Sequence, residues 1–205
     1  MGKIDTYVSW AVRIANDNSH GYSQAVRWAP DYDCSSFVIS ALESAGFPMK
    51  AYGASYTGNM GSALKACGFV KVGGVNLATG AGLIYGDILL NPQTHTEIYI
   101  GDGKTAGAHC SETGGKYGKT GDQTGNEISI QSYRNKNYKE VWRYGGTGSA
   151  FTPAKSEKWD SVARRVIRGD FGNGAHRIAA LSATGYSDAE INQIQQTVNY
   201  ILRGG

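Results

Sequence analysis

Apolar positions at helical spacing open the chain. Ile4, Val8, Ala11 and Ala15 share one face of an amphipathic helix expected over roughly 3–16. A second helix is expected over 34–45, where Phe37, Val38, Ala41 and Leu42 recur until Gly46 stops the run, and Asp33 is a good N-cap. A third, over 58–67, carries Met60, Leu64 and Cys67 ahead of Gly68. The pattern then changes to strand-like runs at 87–91, 95–100, 105–110, 127–131 and 140–144, divided by turn-rich pieces such as Gly101-Asp102-Gly103 and Gly114-Gly115. Helices first and an antiparallel sheet afterwards predict an α+β unit over residues 1–146. In the run His95 to Ile100, alternation puts Thr96, Ile98 and Ile100 on one face and His95, Glu97 and Tyr99 on the other. The apolar face is expected to pack on the layer that holds the 34–45 helix.

The stretch from Gly145 to Lys155 has linker composition, and residues 147–158 are expected to be a linker. Beyond them the helical spacing returns. Val162, Val166 and Ile167 mark one helix, and His176, Arg177, Ala180 and Leu181 a second. The third starts at the capping-box pattern Ser187-Asp188-Ala189-Glu190 and runs through Ile191, Ile194, Val198, Ile201 and Leu202. Residues 159–205 thus read as a three-helix bundle, near the lower size limit for a unit without disulfides or metals.

Composition narrows the partners. Net charge is +3 over 205 residues without long basic runs, which gives no reason to expect nucleic acid. No apolar stretch approaches the ~20 residues that span a bilayer, so no membrane partner is expected. The first helix lacks the uninterrupted apolar core of a secretory signal, so synthesis in a cytosol is expected. Three cysteines argue against a full disulfide framework. No CxxC or HExxH spacing occurs, and neither a metal nor an organic cofactor is expected.

The chemistry centres on Cys34. It falls at a helix start, where unpaired N–H groups and the positive end of the dipole favour thiolate, the nucleophilic form. Such a cysteine needs a base, and His95 opens a strand. A hairpin about Gly101-Asp102-Gly103 would bring His109 back beside His95, where a further polar group can fix the imidazole tautomer. Other residues read more plainly. Asp33 is a cap, Asp87 fixes a turn, and Glu97 is expected to be solvated. Tyr22 reads as a packed aromatic, Cys67 as an inert core thiol, and Cys110 as pointing into the core, opposite to His109.

Tyr32-Asp33-Cys34-Ser35-Ser36-Phe37, Gly86-Asp87-Ile88 and His95-Thr96-Glu97-Ile98-Tyr99-Ile100-Gly101-Asp102-Gly103 resemble the NlpC-like cysteine peptidases that cut bacterial peptidoglycan. The likeness is greatest to the phage peptidoglycan hydrolase branch, where a Tyr-Asp-Cys-Ser-Ser motif and a later His-Cys pair occur. The resemblance implies a papain-like fold, Cys34 as nucleophile, His95 as base and His109 as the orienting residue. It also implies substrate contacts around Tyr22, Asp33, Ser35 and Glu97. The bond cut would be a γ-D-glutamyl–diamino acid amide or, on the same scaffold, the N-acetylmuramoyl–L-alanine amide. A non-catalytic peptidoglycan-binding protein and an acyl- or peptide-transferase are the readings of other classes.

Val162 to Gly174, with Gly172-Asn173-Gly174, Arg177, Leu181 and Gly185-Tyr186, resembles the CW-seven cell-wall-binding repeat. That implies a module for the glycan-peptide unit of peptidoglycan. Gly172-Asn173-Gly174 allows close backbone approach, and the planar fork of Arg177 suits a peptide carboxylate. Such repeats often occur in several copies and one stands here, so strong avidity would call for a homo-oligomer. Together the two resemblances imply a phage-type endolysin. It would be made in the host cytoplasm without a signal peptide and act on the wall of a Gram-positive host.

Overall fold

The computed structural model describes residues 2–145 and 157–202. Three helices come first: α1 (Lys3–Ala15), α2 (Cys34–Ser44) and α3 (Thr57–Ala66). Six strands follow: β1 (Phe69–Lys71), β2 (Ile88–Asn91), β3 (His95–Gly101), β4 (Lys104–Ala108), β5 (Ile128–Ser132) and β6 (Glu140–Tyr144). They form one sheet in the order β1-β6-β2-β3-β4-β5, antiparallel throughout. The α+β expectation therefore holds, and each expected strand is present within a residue or two. The three-residue β1 has no hydrophobic period to announce it and was not expected.

Helices α1 and α2 lie on one face of the sheet. Tyr7, Phe37, Ile39, Leu42, Met60, Leu64, Ile88, Leu90 and Ile98 are fully buried between the layers. Fully burying such side chains contributes about 1.5–3 kcal/mol each, which is the main force joining helices to sheet. Tyr7 also donates its hydroxyl to the Gly86 carbonyl at 2.6 Å. Gly86 has φ +88°, and a Cβ there would meet the Tyr7 hydroxyl at 2.5 Å. Next to it the buried Asp87 accepts from Ile84 N–H at 2.9 Å and from Arg143 Nε and Nη2 at 2.7 Å each. Asp87 thus fixes the turn into β2, as expected, and ties it to β6.

Beyond the hairpin of β3 and β4, closed by Asp102 with φ +51°, the sheet's other face is also covered. The connection from β5 to β6 crosses it, and Tyr138 buries with Leu83, Leu89 and Val141 in a second, smaller cluster. This corrects the expectation that Glu97 is solvated: it is 0% exposed. Strand alternation assigned its face correctly, but a loop remote in sequence closes over that face. Cys110 needs the opposite correction. β4 ends at Ala108, where His109 N–H turns to the Glu127 carbonyl at 2.7 Å, and Cys110 is left exposed instead of facing the core.

Three more helices follow: α4 (Glu157–Ile167), α5 (Gly174–Ala183) and α6 (Asp188–Ile201). Val162, Val166, Leu181, Ile191, Ile194 and Val198 are buried at the helical spacing read from the sequence, and Ala163, Phe171 and Ile178, which were not singled out, are buried with them. Ile167 and Leu202 depart from that stripe and are exposed. The Ser187–Glu190 capping box forms, with Ser187 N–H donating to Glu190 Oε2 at 3.1 Å and Glu190 N–H to Ser187 Oγ at 3.4 Å. Most of the proposed 147–158 linker lies outside the described residues. Among the described residues no helix is long and apolar enough to cross a membrane.

Candidate functional site

Cys34 is the first residue of α2. Asp33 caps the helix in extended backbone, accepting from Ser36 N–H at 2.7 Å, while Ser36 Oγ accepts from Asp33 N–H at 2.9 Å. Asp33 Oδ1 also accepts from Ser35 Oγ at 2.9 Å, and Arg27 pairs with Asp33 Oδ2 at 2.8 Å while donating to Ser35 Oγ at 2.7 Å. Asp33 and Ser35, expected at the substrate, are thus both buried and committed to holding the start of α2. Arg27 was not singled out from the sequence; an isolated arginine seven residues before Cys34 carries no pattern.

The helix start does not leave Cys34 a ready thiolate. The residue is 8% exposed, and burial pushes its thiol up to about 11, with the Asp33 charge adding to the rise. Backbone N–H groups of Thr96 and Ser35 and the charge of Arg27 pull the other way without prevailing. The capping carboxylate that builds the helix start also opposes a second negative charge beside it. The hydrogen bond from the Thr96 N–H sets the sulfur against β3, next in sequence to His95. Tyr22 is buried nearby, its hydroxyl accepting from Gln24 Nε2 at 3.2 Å and its N–H donating to Glu127 Oε2 at 3.0 Å. Burial pushes that phenol up to about 12, and the charges of Cys34 and Asp33 contribute.

Behind β3 the two histidines meet on one carboxylate. Glu97 Oε1 lies 2.9 Å from His95 Nε2 and 3.1 Å from His109 Nδ1. The imidazole centroids are 6.1 Å apart, so the group that holds His95 directly is Glu97, and His109 reaches it only across that carboxylate. Lys136 Nζ approaches Oε1 at 2.5 Å, and Tyr138 donates its hydroxyl to Oε2 at 2.7 Å. Burial works to raise the Glu97 carboxyl, but hydrogen bonds from His109 and His95 and the Lys136 charge outweigh it and hold the group far below the usual carboxylate range. Tyr138 also stacks on His95, with centroids 6.3 Å apart.

Gly107 on β4 makes this arrangement possible. A Cβ there would stand 2.6 Å from Glu97 Cγ. Gly107, Lys136 and Tyr138 were missed in the sequence. The register that sets Gly107 against Glu97, and the loop that carries the other two, are tertiary features with no local signal. The ligand atoms of His95, Glu97 and His109 all lie within 4.8 Å of one another, which is metal-site geometry from a spacing that matches no metal motif.

In the C-terminal helices, Gly172 (φ +68°) and Gly174 (φ +55°) flank the exposed Asn173 at the start of α5. Arg177 is not a free fork. It donates from Nε to the Gly172 carbonyl at 3.2 Å, from Nη2 to Asn173 Oδ1 at 3.1 Å and from Nη1 to Gln195 Oε1 at 3.0 Å. Its guanidinium therefore braces the Gly172–Asn173 turn against α6.

No curated protein matches the chain. Two family models do: residues 19–106, from ahead of Tyr22 through α2 to the middle of β4, match an endolysin-like domain, and residues 160–202 match a CW_7 repeat.

Proposed function

We propose that the chain is a peptidoglycan hydrolase of two parts. A papain-like cysteine amidohydrolase occupies residues 1–146, and residues 147–158 link it to a three-helix bundle over 159–205 that holds it on the wall. The reading rests on Cys34, at the capped start of α2, lying against the Thr96 backbone of β3, next in sequence to His95, whose Nε2 is 2.9 Å from the buried Glu97 carboxylate. That grip leaves Nδ1 to exchange a proton with the sulfur.

The resting thiol is protonated, because burial pushes it up to about 11. As Cys34 Sγ attacks the amide carbonyl, its proton passes to His95 Nδ1. The developing oxyanion lies against the Cys34 N–H at the open end of α2, with the Tyr22 hydroxyl beside it. The imidazolium, stabilised by Glu97, protonates the leaving amine. The resulting thioester is hydrolysed by water that gives a proton to His95, which returns it to sulfur as the carboxylic acid leaves. Glu97 thus takes the orienting role that the resemblance assigned to His109, and His109 supports Glu97 from its far side.

The substrate amide is the γ-D-glutamyl–diamino acid bond of a Gram-positive wall. Gly172, Asn173 and Gly174 present backbone to the glycan-peptide unit, and Arg177 sets the shape of that turn. Mass spectra of digested walls test the reading. New diamino-acid amines paired with new D-glutamyl carboxylates are expected. Free L-alanine amines in place of them would reassign the enzyme as an N-acetylmuramoyl–L-alanine amidase. Digests without any new amine–carboxylate pair would leave a binding protein and end the hydrolase reading.

A further inference from the structure

Glu97 receives more donors than orienting one histidine requires. His95 Nε2, His109 Nδ1 and Lys136 Nζ converge on Oε1 at 2.9, 3.1 and 2.5 Å. Two imidazoles and a carboxylate with ligand atoms inside 4.8 Å form the donor set of zinc and related divalent centres. Lys136 Nζ meets two of these three residues, Glu97 Oε1 and, at 3.1 Å, His109 Nδ1, and lies 3.2 Å from Gln131 Oε1. Among the described residues the buried His109 Nε2 has no hydrogen-bond partner, so that ring is held through Nδ1, which faces both the ammonium and Glu97 Oε1. Positive charge at this point is what the ligand set calls for, and the chain supplies it from the β5–β6 connection.

We propose that Lys136 is the resident cation of a metal-type site. Its ammonium, held by Glu97 and His109, stands in for a divalent transition metal at the site that His95, Glu97 and His109 form, and the site binds such an ion once the ammonium is removed. Lys136 is then a positioning residue, holding Glu97 where Glu97 can hold His95; this last step rests on the hydrolase reading, whereas the cation site does not. In the native chain an arriving dication must displace a charge that repels it, which disfavours metal. A metal seated there would claim His95 Nε2 and Glu97, and so disable the base.

The test uses the full chain in a Cys34→Ala, Cys110→Ser background, so that neither the buried thiol nor the one beside His109 contributes a ligand. Co2+ is titrated into this parent and into its Lys136→Met derivative, and visible absorption is read. The derivative is expected to bind one Co2+ per chain at least about tenfold more tightly than the parent, and adding Glu97→Gln or His109→Ala should weaken binding about 10–100-fold. No Co2+ binding by the derivative, equal affinity in the parent, or affinity that survives both added substitutions overturns the proposal. A second measurement needs no variant. Under amine acetylation read by mass spectrometry, Lys136, with 19% of its side chain exposed, should lag well behind Lys71 at 54%. Equal labelling means the ammonium is not seated, and the proposal fails. Neither readout is wall lysis, so failure of the Cys34 mechanism would leave both results standing, and a lysing enzyme whose Lys136→Met form ignores Co2+ would refute only the cation site.

Discussion

Replacing Glu97 with glutamine keeps the shape of the side chain and removes one buried charge. Lys136 then loses its anion while remaining under the β5–β6 loop. Stripping one partner from a buried ion pair costs about 3–5 kcal/mol. Lys136 keeps some water contact and its 3.2 Å bond to Gln131, which places the cost near the lower end, about 3 kcal/mol. For a unit of this size that is a fall in Tm of about 6–12 °C at pH 7. The pH dependence has a definite sign. The Glu97 carboxyl lies lower in the folded chain than its ordinary 4.5, so its contribution is complete above that value and drains away as pH falls below it. At about 1.4 kcal/mol per pH unit, some two units of acidification should close the gap between native and variant unfolding curves. The variant should also lyse walls about a hundredfold more slowly or worse, because the imidazolium formed during attack loses its counter-charge. Thermal and urea unfolding between pH 7 and pH 2.5 check the stability claim. A Tm drop below about 2 °C at pH 7, or a gap that does not narrow in acid, would refute the account of Glu97 as an ionised, buried acceptor.

Gly107→Ala brings a methyl to 2.6 Å from Glu97 Cγ, which four donors prevent from moving aside. Lysis should fall along with about 1–3 kcal/mol of stability, and a fully active variant would show that Glu97 has room to shift. Arg143→Met leaves the fully buried Asp87 without two 2.7 Å bonds and should cost about 3–5 kcal/mol in urea unfolding, part of it recovered by adding Asp87→Asn. An unchanged urea midpoint would contradict the buried pair. Because the Cys34 thiol is pushed up to about 11, roughly one molecule in ten thousand carries the thiolate at pH 7. Iodoacetamide should therefore modify exposed Cys110 well before Cys34 at that pH, with the Cys34 rate rising about tenfold per pH unit toward pH 10. Faster modification of Cys34 than of Cys110 at pH 7 would show that the helix start prevails after all.

Much of the fold was legible because it is local. The stripe Ile4, Val8 and Ala11, the cap at Asp33, the alternation of β3 and the Ser187–Glu190 box are each read within a few residues, and each is present. The site was legible only in part. His95 and His109 come together because a short hairpin must return beside itself. The loop from β5 to β6 passes over that hairpin, its Lys136 and Tyr138 lying 39 and 41 residues from Glu97, and no period or turn signal foretells where they arrive. That one crossing turns Glu97 from a surface group into the centre of the cluster. The same limit explains Cys34. A helix dipole can be inferred from sequence, whereas the burial that overrides it arises from packing between layers.

Wall lysis by three single variants, each shown to be folded, tests the central claim most directly: Cys34→Ala, Cys67→Ala and Cys110→Ala. Loss of turbidity-clearing activity by at least about a thousandfold in Cys34→Ala alone, with the other two near native rates, is the predicted result. A folded Cys34→Ala that clears walls at close to the native rate would contradict it.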